Sequence, residues 1–435
     1  MKADLSRDTF DPTRHFLRVL MQQGRVQVDA DPNEQTAILL HYLQALAADL
    51  IGPAGGPKTG PNTPLGFSVE LDGTDLRIWP GHYYVDGILC ELEPAPDENR
   101  EGARNDGTIS YFEQPDYPLS PDHDRLREKN FLAYLDVWER HLTALDDEHI
   151  REVALGGPDT ATRSKVVWQV KVVPVTVRTK EDALERVWPG LVEKWQPPDR
   201  GALAAGTDDP VDETDPCITP PASGYRGAEN QLYRVEIVDS STTEAPATFV
   251  WSRENGSVLS RWDQSEDELV LADPGRDHKL GFEAGQWIQL TDDDHELAGK
   301  PGTFAELTKV EHGVLTIDSS NATGPTDAAS FKVKPKIRRW DSGAPRPVEV
   351  PAATEGWIPL EDGVQIKFSE TGHYRSGDYW LIPARVQGGV DWPNVEGEPV
   401  LLPPHGIEHH FAPLALFVPG AAPIPLQRSW SFMAT

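Results

Sequence analysis

The segment "LLPPHGIEHHFAPLA", residues 401–415, contains the spacing that a metallohydrolase needs. His405, Glu408 and His409 fit H-x-x-E-H, in which two imidazoles hold zinc and a carboxylate activates water. That chemistry requires a helix, because a helix places both imidazoles on one face. Pro403 and Pro404 precede the motif, Gly406 interrupts it and Pro413 follows it, so a helix is disfavoured throughout. The residues therefore read as hydrogen-bonded imidazoles on an irregular loop. With His410 beside them they remain weak candidates for holding a metal, and a zinc hydrolase stands as the third of three functional readings.

Other chemistry is sparser. Carboxylates cluster in "TDDDHEL" (291–297) and "GTDDPVDETD" (206–215), the oxygen donors that calcium takes, but neither run has the ligand spacing of an EF-hand loop. Solvated charged turns are the expectation for both. No G-x-S-x-G elbow, phosphate-binding loop or dinucleotide fingerprint occurs, and Cys90 in "GILCEL" reads as a small buried hydrophobe. No catalytic residue and no cofactor is assigned. The thirteen tryptophans include Trp138, Trp168, Trp251 and Trp262, which could stack on sugar rings. Strand alternation would instead bury Trp79, Trp138 and Trp168 in a core, so a carbohydrate-binding or carbohydrate-cleaving β-protein is the second reading.

The elements that must carry these residues are mostly short strands. Asp31 and Pro32 open the best helical pattern, with Ala37, Leu40, Leu43, Leu46, Ala47 and Leu50 at helical spacing until Gly52-Pro53 stops it. "GPAGGPKTGPNTPLG" (52–66) reads as a breaker-rich joint without regular structure. From Phe67 the period changes to two, and Asp72-Gly73 and Asp86-Gly87 mark hairpin turns. Two long strands bracket a short helix at "DEHIREVALGG", and residues 179–230 form an acidic, Pro/Gly-rich connection. Asn255-Gly256 is a further turn, and close strand spacing predicts a small barrel or sandwich around 268–335. The expected fold class is mainly β (all-β or α+β), with sandwich- or barrel-like modules, an extended N-terminal arm and one helix. The expected divisions are 1–66 (arm, helix and linker), 67–178 (β-rich), 179–230 (connection), 231–345 (β-rich) and 346–435 (C-terminal β-rich section and tail).

A formal charge of −30, from 40 basic and 70 acidic residues, opposes nucleic acid and anionic lipid as partners. Two cysteines far apart support no disulfide framework, and no stretch resembles a signal peptide or a membrane span. A cytoplasmic protein without direct membrane insertion is expected. Against this acidity, the arm concentrates Arg7, Arg14, Arg18 and Arg25 beside Phe10, Phe16, Leu20 and Met21. An extended arm cannot bury such side chains alone, so they pack either on their own β-domain or on a partner.

The blocks "RDTFDPTRHFLRVLMQQGRVQVDADPNEQ", "PGHYYVDGILCE", "FVWSRENGSV", "YRSGDYWLIPAR" and "PPHGIEHHFAPLALF" carry a resemblance across most of the chain. They resemble a bacterial domain-of-unknown-function family associated with phage-tail-like and contractile-injection gene clusters. "PGHYYVDGILCE" also resembles a hairpin of phage baseplate and tail-fibre attachment proteins, with Asp86-Gly87 at its turn. The resemblance implies a non-enzymatic structural subunit at a baseplate periphery, tail-fibre base or cap. Its partners would be other subunits of a tail-like assembly and copies of itself, in a particle that is released or retained. It transfers no catalytic group.

Overall fold

The computed structural model describes residues 1–60, 63–73, 75–94, 107–117, 129–208, 224–242, 245–265, 268–271, 281–342, 348–349 and 357–431. The chain is mainly β, arranged as two strand-rich units, a closed barrel and an N-terminal arm with its helix.

A long hairpin, Phe131–Leu142 with Arg163–Pro174, organises the first unit. The sequence FLAYLDVW lacks polar–apolar alternation because both faces of the strand are covered. Phe131, Ala133, Leu135 and Val137 point into a core shared with Phe67, Ile78, Tyr83 and Cys90. Leu132 and Tyr134 point the other way, into a second cluster with Ala183 and Leu416. Trp195 stacks on Tyr134 there, with ring centroids 4.4 Å apart. Strand His410–Phe417 pairs with the free edge of the hairpin, and Ser429–Trp430 runs parallel to Ala54–Pro57. The sheets of the first unit therefore cross the boundaries drawn from composition, because the chain end returns to complete them.

The second unit faces a sheet built on Gln231–Ile237, Thr248–Ser252 and Tyr379–Arg385 against a smaller one of Ile358–Pro359, Val364–Phe368 and Leu203–Thr207. Tyr233, Val235, Phe249, Ile366 and Trp380 fill the space between. The barrel closes with six strands from Leu259–Ser265 to Lys336–Trp340 around Trp262, Leu290, Leu307 and Ile337.

Three local expectations are corrected. "DEHIREVALGG" forms two single 3-10 turns, Glu148–Ile150 and Val153–Leu155, too short and too exposed for an α-helix. The 179–230 connection contains a π-turn, Asp182–Val187, running into the helix Trp188–Trp195, and then strand Leu203–Thr207. Pro189 follows the π-turn directly, inside a helical run that continues unbroken from residue 180 to 195. Within the presumed joint 52–66, Ala54–Pro57 forms a strand, because two neighbours satisfy its backbone. Residues 209–215 of the second acidic run, and Cys217, lie outside the described residues.

Candidate docking arm and the fate of the histidine motif

The arm is a loop pinned at its base. The Ser6 amide donates to the Asp29 carboxylate at 2.9 Å, and Arg385 donates to the Ser6 carbonyl at 2.6 Å. Before the pin, residues 1–3 are inserted beside the Asn255-Gly256 turn. Asn255 donates to the carbonyls of Met1 and Ala3, and Lys2 pairs with Glu236 at 2.7 Å beneath the Trp340 ring. Burial opposes the charge on Lys2 and lowers its pKa to about 8, despite Glu236. Burial would raise the Glu236 carboxyl, but Lys2 and Arg234 outweigh it and hold it at about 2.

After the pin the arm runs beside the helix Ala30–Ile51. Thr9 donates to Glu34, the Val19 amide donates to Gln35, and Phe10 lies half-buried against the His41 ring. The remaining apolar side chains face solvent. Leu20 is 68% exposed, and Phe16, Leu17 and Met21 are exposed with it. Arg7, Arg14, Arg18 and Arg25 are exposed as well. On the helix, only Ala30 and Ile38 are fully buried. Of the stripe that marks the helix in the sequence, Ala37 and Ala47 are half-buried while Leu40, Leu43, Leu46 and Leu50 are exposed, Leu43 by 65% and Leu50 by 78%; Leu39, outside that stripe, joins Leu43, Leu46 and Leu50 in one exposed row. Their 4-3-4 spacing is that of a seam facing another polypeptide.

The helix rests on the hairpin that carries Asp86-Gly87 at its turn. Asp86 (φ 47°) and Gly87 (φ 79°) form the primed two-residue turn between Gly81–Val85 and Ile88–Leu92, and Gly87 abuts the Gln44 carbonyl.

The structure does not gather the H-x-x-E-H residues. Residues 405–409 are irregular, and His410 begins a strand. The His405 ring stacks on Tyr379, His409 Nδ1 lies 2.7 Å from Asp136, and His410 Nδ1 lies 2.9 Å from Asp86. Three imidazoles thus serve three different elements, and Glu408 is exposed. Asp136 is buried and also accepts from Lys171 at 2.6 Å. Burial would raise its pKa, but His409 and Lys171 hold it low. The four tryptophans considered as sugar platforms are buried. So is Cys90, whose thiol burial pushes up to about 12.

The first acidic run is corrected from a solvated turn to an internal lock. Asp292 caps the short helix Asp293–Leu297. Asp293 and Glu296 accept from Arg140 of the long hairpin at 2.8 Å each, and from Lys336 of the barrel at 2.7 and 3.0 Å. Lys336 also donates to Asp146. Asp146, Asp293 and Glu296 are the described acidic residues that converge as a cation site would require, and the ammonium of Lys336, itself 1% exposed, is bonded to all three. A resident lysine in place of a metal makes this a joint between barrel and hairpin. No sequence motif announces it, because the partners stand far apart in the chain.

No curated protein and no solved structure matches the chain. Among the described residues no helix is long and apolar enough to cross a membrane. One family model matches residues 1–205 and 198–421, so the chain belongs to the family of unknown function DUF6519.

Proposed function

We propose that the chain is a non-enzymatic structural subunit that works by protein contact through its arm and first helix. The observation that carries this is the exposure of Phe16, Leu17, Leu20 and Met21 of the arm together with the outward leucines of the helix. Monomeric soluble proteins rarely leave large apolar patches uncovered. The resemblance of the sequence blocks to tail-associated proteins supports a place at the baseplate periphery, fibre base or cap of a contractile particle. The glycan alternative lacks the exposed platform on which it was based, since Trp138, Trp168, Trp251 and Trp262 are buried.

Mass spectrometry of particles purified from the native host tests the role. The chain is expected in fractions holding sheath and tube proteins, and Leu43→Glu/Leu46→Glu should remove it while leaving it folded. Particles complete in sheath and tube but free of the wild-type chain refute the proposal.

A further inference from the structure

We infer that the surface covering the arm and helix is a second copy of this chain, with each copy laying its arm across the other's leucine seam. The inference rests on the docking role proposed above and names the partner for it.

Two observations point to self-pairing. The first is charge. Residues 12–28 contain Arg14, Arg18 and Arg25 and no carboxylate, whereas residues 30–51 contain Asp31, Glu34 and Asp49 and neither lysine nor arginine. One apolar surface is basic and the other acidic, so they complement each other. In a chain of net charge −30, the basic member is the exception that an acidic neighbour explains.

The second is tethering. The Ser6–Asp29 and Arg385–Ser6 bonds close the arm into a loop, and the Val19–Gln35 bond holds it along one side of its own helix. From there it leaves the outer face, with Leu43 and Leu50, uncovered. The arm of another copy, held by the same bonds to its own helix, presents its exposed side chains outward, where they can meet this face. Reciprocal exchange about a two-fold axis satisfies both surfaces of both copies at once, as an isologous interface requires.

Light scattering and sedimentation of the purified full-length chain test this, with any purification tag kept away from residues 1–3. Wild type should run as a dimer at micromolar concentration and dissociate more readily as salt rises. Arg14→Glu/Arg18→Glu/Arg25→Glu should weaken the dimer by about ten-fold or more, and Leu43→Glu/Leu46→Glu should yield monomer. These exposed substitutions should leave the circular dichroism spectrum unchanged.

A wild-type chain that stays monomeric while still entering particles overturns the self-pairing and leaves the docking role standing. A dimer sensitive to the leucine changes but indifferent to the arginine changes overturns the arm–helix exchange. A Leu43→Glu/Leu46→Glu chain that both dimerises and enters particles normally overturns both proposals.

Discussion

Gly87 lies against the peptide group of Gln44, with no room between them for a Cβ: one built at Gly87 would stand 2.8 Å from the Gln44 carbonyl carbon and 3.0 Å from its Cα. The hairpin turn and the arm helix therefore share one contact, and the smallest residue in the turn sets how closely the helix sits.

Gly87→Ala should lift the helix from the turn as well as strain a backbone at φ 79°. A cost of roughly 1–3 kcal/mol is expected from strain alone, with faster amide exchange across 30–51. Gly397→Ala, also at positive φ but with open space around it, separates the two effects because it should leave exchange in the helix unchanged.

Lys336→Met should destabilise the protein by about 3–5 kcal/mol, because Asp146, Asp293 and Glu296 keep Arg140 but lose the second of the two cations they share in a buried setting. The exposed Arg226–Asp208 pair provides the contrast: Arg226→Met should cost no more than about 1 kcal/mol. Urea midpoints measure both. Calcium should partly rescue the Lys336 variant, whose carboxylates then face one another, and should not move wild type.

Stability should fall as pH drops, in two stages. Burial lowers the His141 pKa from its usual 6.5 to about 4, so the unfolded state takes up that proton first and stability is lost between those values. Glu236, held at about 2 against an ordinary 4.5, has its folded form favoured above 4.5, and that contribution is lost as pH falls toward 2. Glu296 and Asp293, burial notwithstanding, are held low by Lys336 and Arg140 and act in the same direction. Thermal melts between pH 7 and pH 3 check the sign. Constant stability across that interval would contradict the buried ion pairs.

His409→Ala should cost about 1–3 kcal/mol by taking a partner from buried Asp136. Metal analysis should show no stoichiometric zinc in wild type or variant. Stoichiometric zinc in wild type, lost in the variant, would restore the hydrolase reading.

Where a residue's role depends on near neighbours, it was legible in the sequence. The irregular backbone around His405 follows from its prolines and Gly406, the turns at Asp86-Gly87 and Asn255-Gly256 from residues that tolerate positive φ, and the barrel from close strand spacing. The helix 30–51 was legible too, but its outward face was not. Helical periodicity identifies a stripe of leucines without saying whether the molecule itself covers them. The joint of Arg140, Asp146, Asp293, Glu296 and Lys336 was illegible for a different reason. Its carboxylates look like ordinary surface charge until the fold brings two cations from distant strands to meet them. Likewise, nothing local distinguishes Trp188 and Trp195 from residues of a loop, since it is Tyr134 and Phe411 that make their helix worth forming.

The return of His410–Phe417 to the edge of the Phe131–Leu142 strand bears on how the molecule is born. On the ribosome, the long hairpin emerges with one edge unprotected and waits there until residues 410–417 have been synthesised. Nascent polypeptides halted before residue 410 should accordingly recruit chaperones or clump, whereas chains that include the closing strand should not.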